Sequence, residues 1–253
     1  MLRWPIRRDL DHISAPSAGG AGIEDRIVTR VLALIEVAIV AVAGSLLARI
    51  VLQILAVPPD QIWEHTPTLF LFMVVEATIT LILVLFFLRM SGESLWSLGW
   101  RGQGLAKESV VGVVSIPVLF GSTFLVGTLF HVFFPEQISK SNPLLDLVQT
   151  KTDLTLFLVS SVYVGGIKEE IQRAFVLRRF NRFLGSLPTG LILWSIFFGA
   201  GHAVQGIDNA VGAGVLGLLF GLLYLMRGSV VGPIWAHALY DMITLGVFWF
   251  LMR

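Results

Sequence analysis

Glu169, Glu170 and Arg173 stand close together in GGIKEEIQRAF (165–175), directly after a run that carries no charge. His202 closes the stretch FFGAGH, and His237 and Asp241 share HALYD, both in apolar surroundings. An ionisable group at bilayer depth costs at least a few kcal/mol, so it faces a protein interior or a wet cavity. Glu169 and Arg173 are four apart and Glu170 and Arg173 three apart, so each pair shares a helix face; Phe198 and His202, and His237 and Asp241, are again four apart. Helices would thus hold pairs of groups toward a common cavity. Water there would lose a proton to Glu169 while His202 or His237 donates to a developing oxyanion, which is peptide hydrolysis without a Ser or Cys nucleophile. The residues alone leave plainer readings open. Glu169, Glu170 and Arg173 suit an interfacial helix end, His202 an interfacial position, and His237 with Asp241 a structural hydrogen bond. Arg178, Arg179 and Arg182 read as topology determinants facing lipid. Glu36 and Glu76 read as partners for groups on other spans or, with Pro117, as the lining of a transport path.

Of the 253 residues, 55% are hydrophobic and 14% charged, against about 25% charged in a soluble domain. The expected fold class is therefore all-α, a polytopic transmembrane helical bundle with about seven spans and an intramembrane polar cavity. The expected spans are 27–57, 68–88, 109–134, 154 into the Glu169 motif, 191 to about 204, 210–226 and 230–252. Residues 1–26 form a flexible or interfacial tail without a signal-peptide pattern, and 27–253 one membrane domain. Trp96 and Trp100 are placed at headgroup level in the loop after the second span. Gly212, Gly214, Gly217 and Gly221 give the sixth span a small surface for close helix approach.

A net charge of +1 gives nucleic acid no basic footprint to bind. The absence of cysteine removes disulfides, thiolate catalysis and Cys-ligated metals. Lys and Arg cluster before the first span, between the second and third, after the fourth and after the sixth. The positive-inside rule then places the N-terminus in the cytoplasm, and the expected location is the plasma (inner) membrane, as a multi-pass protein. One geometric demand follows. With a rise of about 1.5 Å per residue, His202 lies roughly 20 Å from Pro188, while Glu169 is expected near the basic flank of its span. The two meet only if the fifth helix starts deep, tilts, or follows an interfacial helix over 178–188.

GGIKEEIQRAFVLRRF, FFGAGH and HALYD, in that order, resemble the signature regions of the CPBP family of intramembrane proteases. That family includes the CAAX prenyl endopeptidases of the Rce type and the bacterial Abi and bacteriocin-immunity proteins. The resemblance covers about Trp96 to the C-terminus, which marks 96–253 as the protease core. It implies a glutamic-type endopeptidase acting on a peptide or membrane-associated protein segment, with a prenylated substrate as the family's example. It also implies that Glu169 polarises water with help from His202, that His237 and Asp241 form the oxyanion side, and that Glu170 positions its neighbours. The family pattern leaves three residues between the second glutamate and the arginine, whereas this chain leaves two, which turns Arg173 by about 100° from the expected direction. Asp241 stands where Asn is also used, and an ionised Asp cannot donate to an oxyanion. No cofactor is expected. The alternatives are a zinc-dependent endopeptidase using the same residues as ligands, although no HExxH occurs, and a non-catalytic membrane immunity or scaffold protein on the same fold.

Overall fold

The computed structural model describes residues 23–100 and 104–251, and among these it is helical with no strand. The long helices are α1 (Ile23–Ile54), α2 (Thr66–Met90) and α3 (Leu105–Phe133). Next, α4 (Lys151–Ser160) runs through a π-helical stretch, Ser161–Glu169, into α5 (Glu170–Arg179). Then come α6 (Leu187–Gly201), α7 (Ile207–Arg227) and α8 (Val231–Leu251). The expected tail boundary at residue 26 falls inside the first turn of α1, and residues 1–22 lie outside the described residues.

Local chemistry sets the ends. Pro67 opens α2, where the missing N–H costs nothing. Thr150 and Asp153 form a reciprocal capping box at the start of α4. Ser186 caps α6 with Pro188 in its first turn, directly after Gly185 at φ +76°. That Gly-Ser-Leu-Pro sequence is the turn between two antiparallel helices.

α1, α2, α3, α7 and α8 are long and apolar enough to cross a membrane, five among the described residues against the expected seven. The difference lies in two elements. The α4–α5 helix is broken by π geometry and carries Lys168, Glu169, Glu170 and Arg173, and α6 has only 15 residues. The spans turn Ile35, Ile82, Val114 and Phe124 outward, and the shorter α6 turns Ile196 outward, as a lipid-facing surface requires. The protein is an integral membrane protein.

Packing defines two ends. At one, Glu93 in the α2–α3 loop receives Arg178, Arg179 and Arg182, and Glu108 holds Arg227. At the other, the segment between α3 and α4 crosses the bundle. Its Ser139 donates to Asp208 at 2.5 Å, its Asn142 donates to Gln205 at 3.3 Å, and its Leu147 carbonyl accepts from Thr66 at 2.8 Å. Between these ends α6 and α7 lie close, because a side chain on Gly199 would meet the Ala210 carbonyl at 2.6 Å and Gly214 Cα at 3.1 Å. Gly217 and Gly221 likewise face Phe198 and Leu191, whereas Gly212 faces open space.

The reading of Arg178, Arg179 and Arg182 as lipid-facing is corrected. Arg178 and Arg179 are buried, Arg179 completely. Arg179 bonds Glu36 at 2.5 Å and Glu93 at 2.6 Å and stacks over Phe175. A guanidinium that cannot stay in water needs such partners, and α1 and the α2–α3 loop supply them. Burial alone would raise the Glu93 carboxyl, but the hydrogen bonds and charges of Arg178 and Arg179 outweigh it and hold it below the ordinary glutamate range.

Candidate active site

The helix bearing Glu169 does not end at its charges but continues to Leu184. Glu169 and His202 therefore lie at nearly equal distances along the chain on either side of Gly185, and two antiparallel helices carry them to the same level. This meets the geometric demand without an interfacial helix over 178–188.

Glu169, His202, His237 and Asp241 line one cavity of about 220 Å³, which the expectation required of residues from three separate segments. Its walls include Met73 of α2, Phe157 and Ser161 of the α4 region, and Leu245 of α8. The π-helical stretch places Gly165 where a Cβ would stand 2.7 Å from Asp241 Oδ2 and 3.4 Å from His237 Nε2. Gly165 thus leaves room for the polar face of α8.

Behind the cavity sits a second layer. His237 Nδ1 is 2.7 Å from Glu170 Oε1, and Arg173 Nη1 bonds that same oxygen. With Arg173 as its counter-ion Glu170 is an acceptor, so His237 donates from Nδ1 and presents Nε2 to the cavity. There Nε2 lies 3.7 Å from both Glu169 Oε2 and Asp241 Oδ2. Phe220 stacks on the His237 ring at 4.5 Å and fixes its plane. His202 Nδ1 lies 2.8 Å from the Phe198 carbonyl, which can only accept. His202 therefore donates from Nδ1, a tautomer in which Nε2 carries the lone pair.

Arg173, one residue nearer the second glutamate than in the family pattern, points inward. It is fully buried, pairs with Glu170 at i,i+3, and lies over the rings of Phe198 at 4.8 Å and Phe220 at 5.4 Å. Two residues escaped the sequence reading as parts of the site. Lys168 Nζ reaches Glu76 Oε2 at 3.0 Å and Glu169 Oε1 at 3.6 Å, so Lys168 and Glu76 orient Glu169 from the side of α2. Their signal was a lysine next to the candidate base and a lone carboxylate in an otherwise apolar span.

Among the described residues no three His, Asp or Glu side chains converge closely enough to hold a metal ion, so no step is routed through one.

Residues 151–243 match the family described as type II CAAX prenyl endopeptidase Rce1-like. Over this region the chain is similar to the CPBP/CAAX protease family. The matched segment runs from the first turn of α4 through Asp241, so it contains Lys168, Glu169, Glu170, Arg173, His202, His237 and Asp241, while Glu76, Met73 and Leu245 lie outside it. Comparison with curated proteins and with solved structures gave no match. The Rce1-like family acts on prenylated protein substrates in membranes, and it supports a CAAX-type intramembrane endopeptidase in general terms.

Proposed function

We propose that the protein is an intramembrane endopeptidase that hydrolyses peptide bonds with water activated by Glu169. It lies in the plasma (inner) membrane with its N-terminus in the cytoplasm. The observation that carries the reading is the shared cavity of Glu169, His202, His237 and Asp241. Water between Glu169 and the His202 Nε2 lone pair gives its proton to Glu169 as its oxygen attacks the carbonyl carbon. The carbonyl π electrons become an oxyanion, toward which His237 donates from Nε2 in its doubly protonated form, with the surrounding carboxylates as counter-ions. Glu169 then passes its proton to the leaving nitrogen, the C–N bond breaks, and a carboxyl and an amino terminus are released. Asp241 orients His237. Glu170 and Arg173 are positioning residues, because they act through His237.

The test is cleavage of a panel of apolar peptides by purified protein beside its Glu169→Gln form, with and without chelator. The expected loss in kcat is about 10²–10⁴-fold, the range for a positioned base, with the chelator without effect. Equal activity in both forms overturns the reading. Loss on chelation that added zinc restores would support the metallopeptidase instead.

A further inference from the structure

The two ends of the bundle differ in charge, and the cavity reaches only one of them. Arg89, Lys107, Arg178, Arg179, Arg182 and Arg227 gather where α2, α5 and α7 end and α3 begins. The opposite end holds Lys140, Lys151 and, within the last turns of α1, Arg49, among a larger set of carboxylates that includes Asp60, Glu64, Asp146 and Asp208. A Lys/Arg bias of this kind sets the cytoplasmic face.

From the level of Glu169 and His237 the cavity wall continues through Thr244 and Leu245 toward the last turns of α8. It ends at Asn142, Leu144, Leu145 and Gln205, in the segments joining α3 to α4 and α6 to α7. All of these lie toward the carboxylate-rich end. On the arginine side the cavity is closed by the buried Glu170–Arg173 pair and by an apolar cluster that includes Ile171, Phe175 and Trp194.

We propose that the cavity takes its substrate from the non-cytoplasmic side. The substrate class is an extended peptide segment already across the membrane, presenting an apolar side chain to Met73, Leu144, Leu145 and Leu245, rather than a prenylated C-terminus approaching from the cytoplasm. What happens to the peptide in the cavity rests on the hydrolase reading above. The side on which the cavity opens does not.

The chain has no cysteine, so one introduced thiol reports one position. Ser141→Cys sits beside the mouth and Ser94→Cys at the arginine end; both serines are exposed, and the change is nearly isosteric. A membrane-impermeant maleimide is applied to right-side-out and to inverted vesicles. Ser141→Cys is expected to label at least tenfold faster in right-side-out vesicles, and Ser94→Cys at least tenfold faster in inverted ones. The reverse pattern, or labelling of both from one side, overturns the proposal.

A second arm uses the purified protein. A bulky maleimide on Ser141→Cys is expected to lower peptide cleavage at least tenfold, and the same label on Ser94→Cys to leave it unchanged. Cleavage blocked from Ser94 alone, or from neither position, also overturns the proposed route. If the vesicle pattern holds while unlabelled protein shows no Glu169-dependent cleavage, the hydrolase reading fails and the sidedness stands.

Discussion

Oε1 of Glu170 lies 2.7 Å from Nδ1 of His237 and is bonded at the same time by Arg173. One buried oxygen thereby fixes both the direction of an imidazole and the place of a guanidinium. Removing one member of a buried ion pair costs about 3–5 kcal/mol, because the other charge is left uncompensated. Glu170→Gln is therefore expected to lower stability by about that amount, read as thermal unfolding in detergent. It is also expected to lower kcat by about 10²-fold, because His237 loses its fixed direction. The double variant Glu170→Leu with Arg173→Met removes both charges and is expected to recover most of the stability but none of the activity. Recovery of both would reduce Glu170 to a structural role.

Asp241 tests how the oxyanion is held. Asp241→Asn adds an amide donor and removes a carboxylate 3.7 Å from His237 Nε2. Activity is expected to stay within about tenfold, a change of no more than ~1.4 kcal/mol, whereas Asp241→Leu, with no polar atom, is expected to lose about 10²-fold. Steady-state cleavage of one peptide by the three forms decides the matter. Equal activity in the Leu variant would remove this residue from the mechanism.

Gly165 can be tested by a single methyl group. Its Cβ would press on Asp241 Oδ2 and approach His237 Nε2, and over-packing of this kind costs about 1–3 kcal/mol. Gly165→Ala is expected to lower kcat/KM by about tenfold while the unfolding midpoint shifts little, since Asp241 is half-buried and can move toward the cavity. A large fall in the midpoint with unchanged kcat/KM would contradict the placement of α8.

Outside the spans, Glu93 sets an acid limit. Its carboxyl is held below the ordinary value of 4.5 by Arg178 and Arg179, whose effect exceeds that of burial. A depressed folded-state value means stability that is complete above the unfolded pKa and is lost as pH falls through the folded one. Unfolding midpoints in detergent are thus expected to be level from neutral pH down to about 5 and to fall below about 4. Glu93→Gln is expected to be about 3 kcal/mol less stable at neutral pH and to show a shallower acid decline. An equally steep decline in the variant would place the sensitivity elsewhere.

Much of the site was legible because charge is expensive in an apolar chain. Glu169, Glu170, His202, His237 and Asp241 each stand out where nothing polar is needed, and the structure gathers them at one cavity and the layer behind it. The arginines were misread for a related reason. A run such as Arg178–Arg179 next to a turn looks the same whether it faces lipid headgroups or buried carboxylates. Its partners Glu36 and Glu93 lie far away in the chain, so only the packed bundle distinguishes the two. The meeting of Glu169 and His202 was legible in principle from Gly185, Ser186 and Pro188, which mark the turn equidistant from both. The inward aim of Arg173 was not, because it depends on Phe198 and Phe220 arriving from α6 and α7.

The contrast between the two ends of the bundle has a mechanical consequence. Around Glu93 several guanidinium bonds tie α5 to the α2–α3 loop, so that pole behaves as a clamped base. Across the mouth the joints are a few separate hydrogen bonds, Asn142 to Gln205, Thr66 to the Leu147 carbonyl and the two from Ser139 to Asp208. A load applied by an incoming chain would spread the helices like the free tips of tweezers, widening the opening while the hinge and the oxygen shared by Arg173 and His237 stay still.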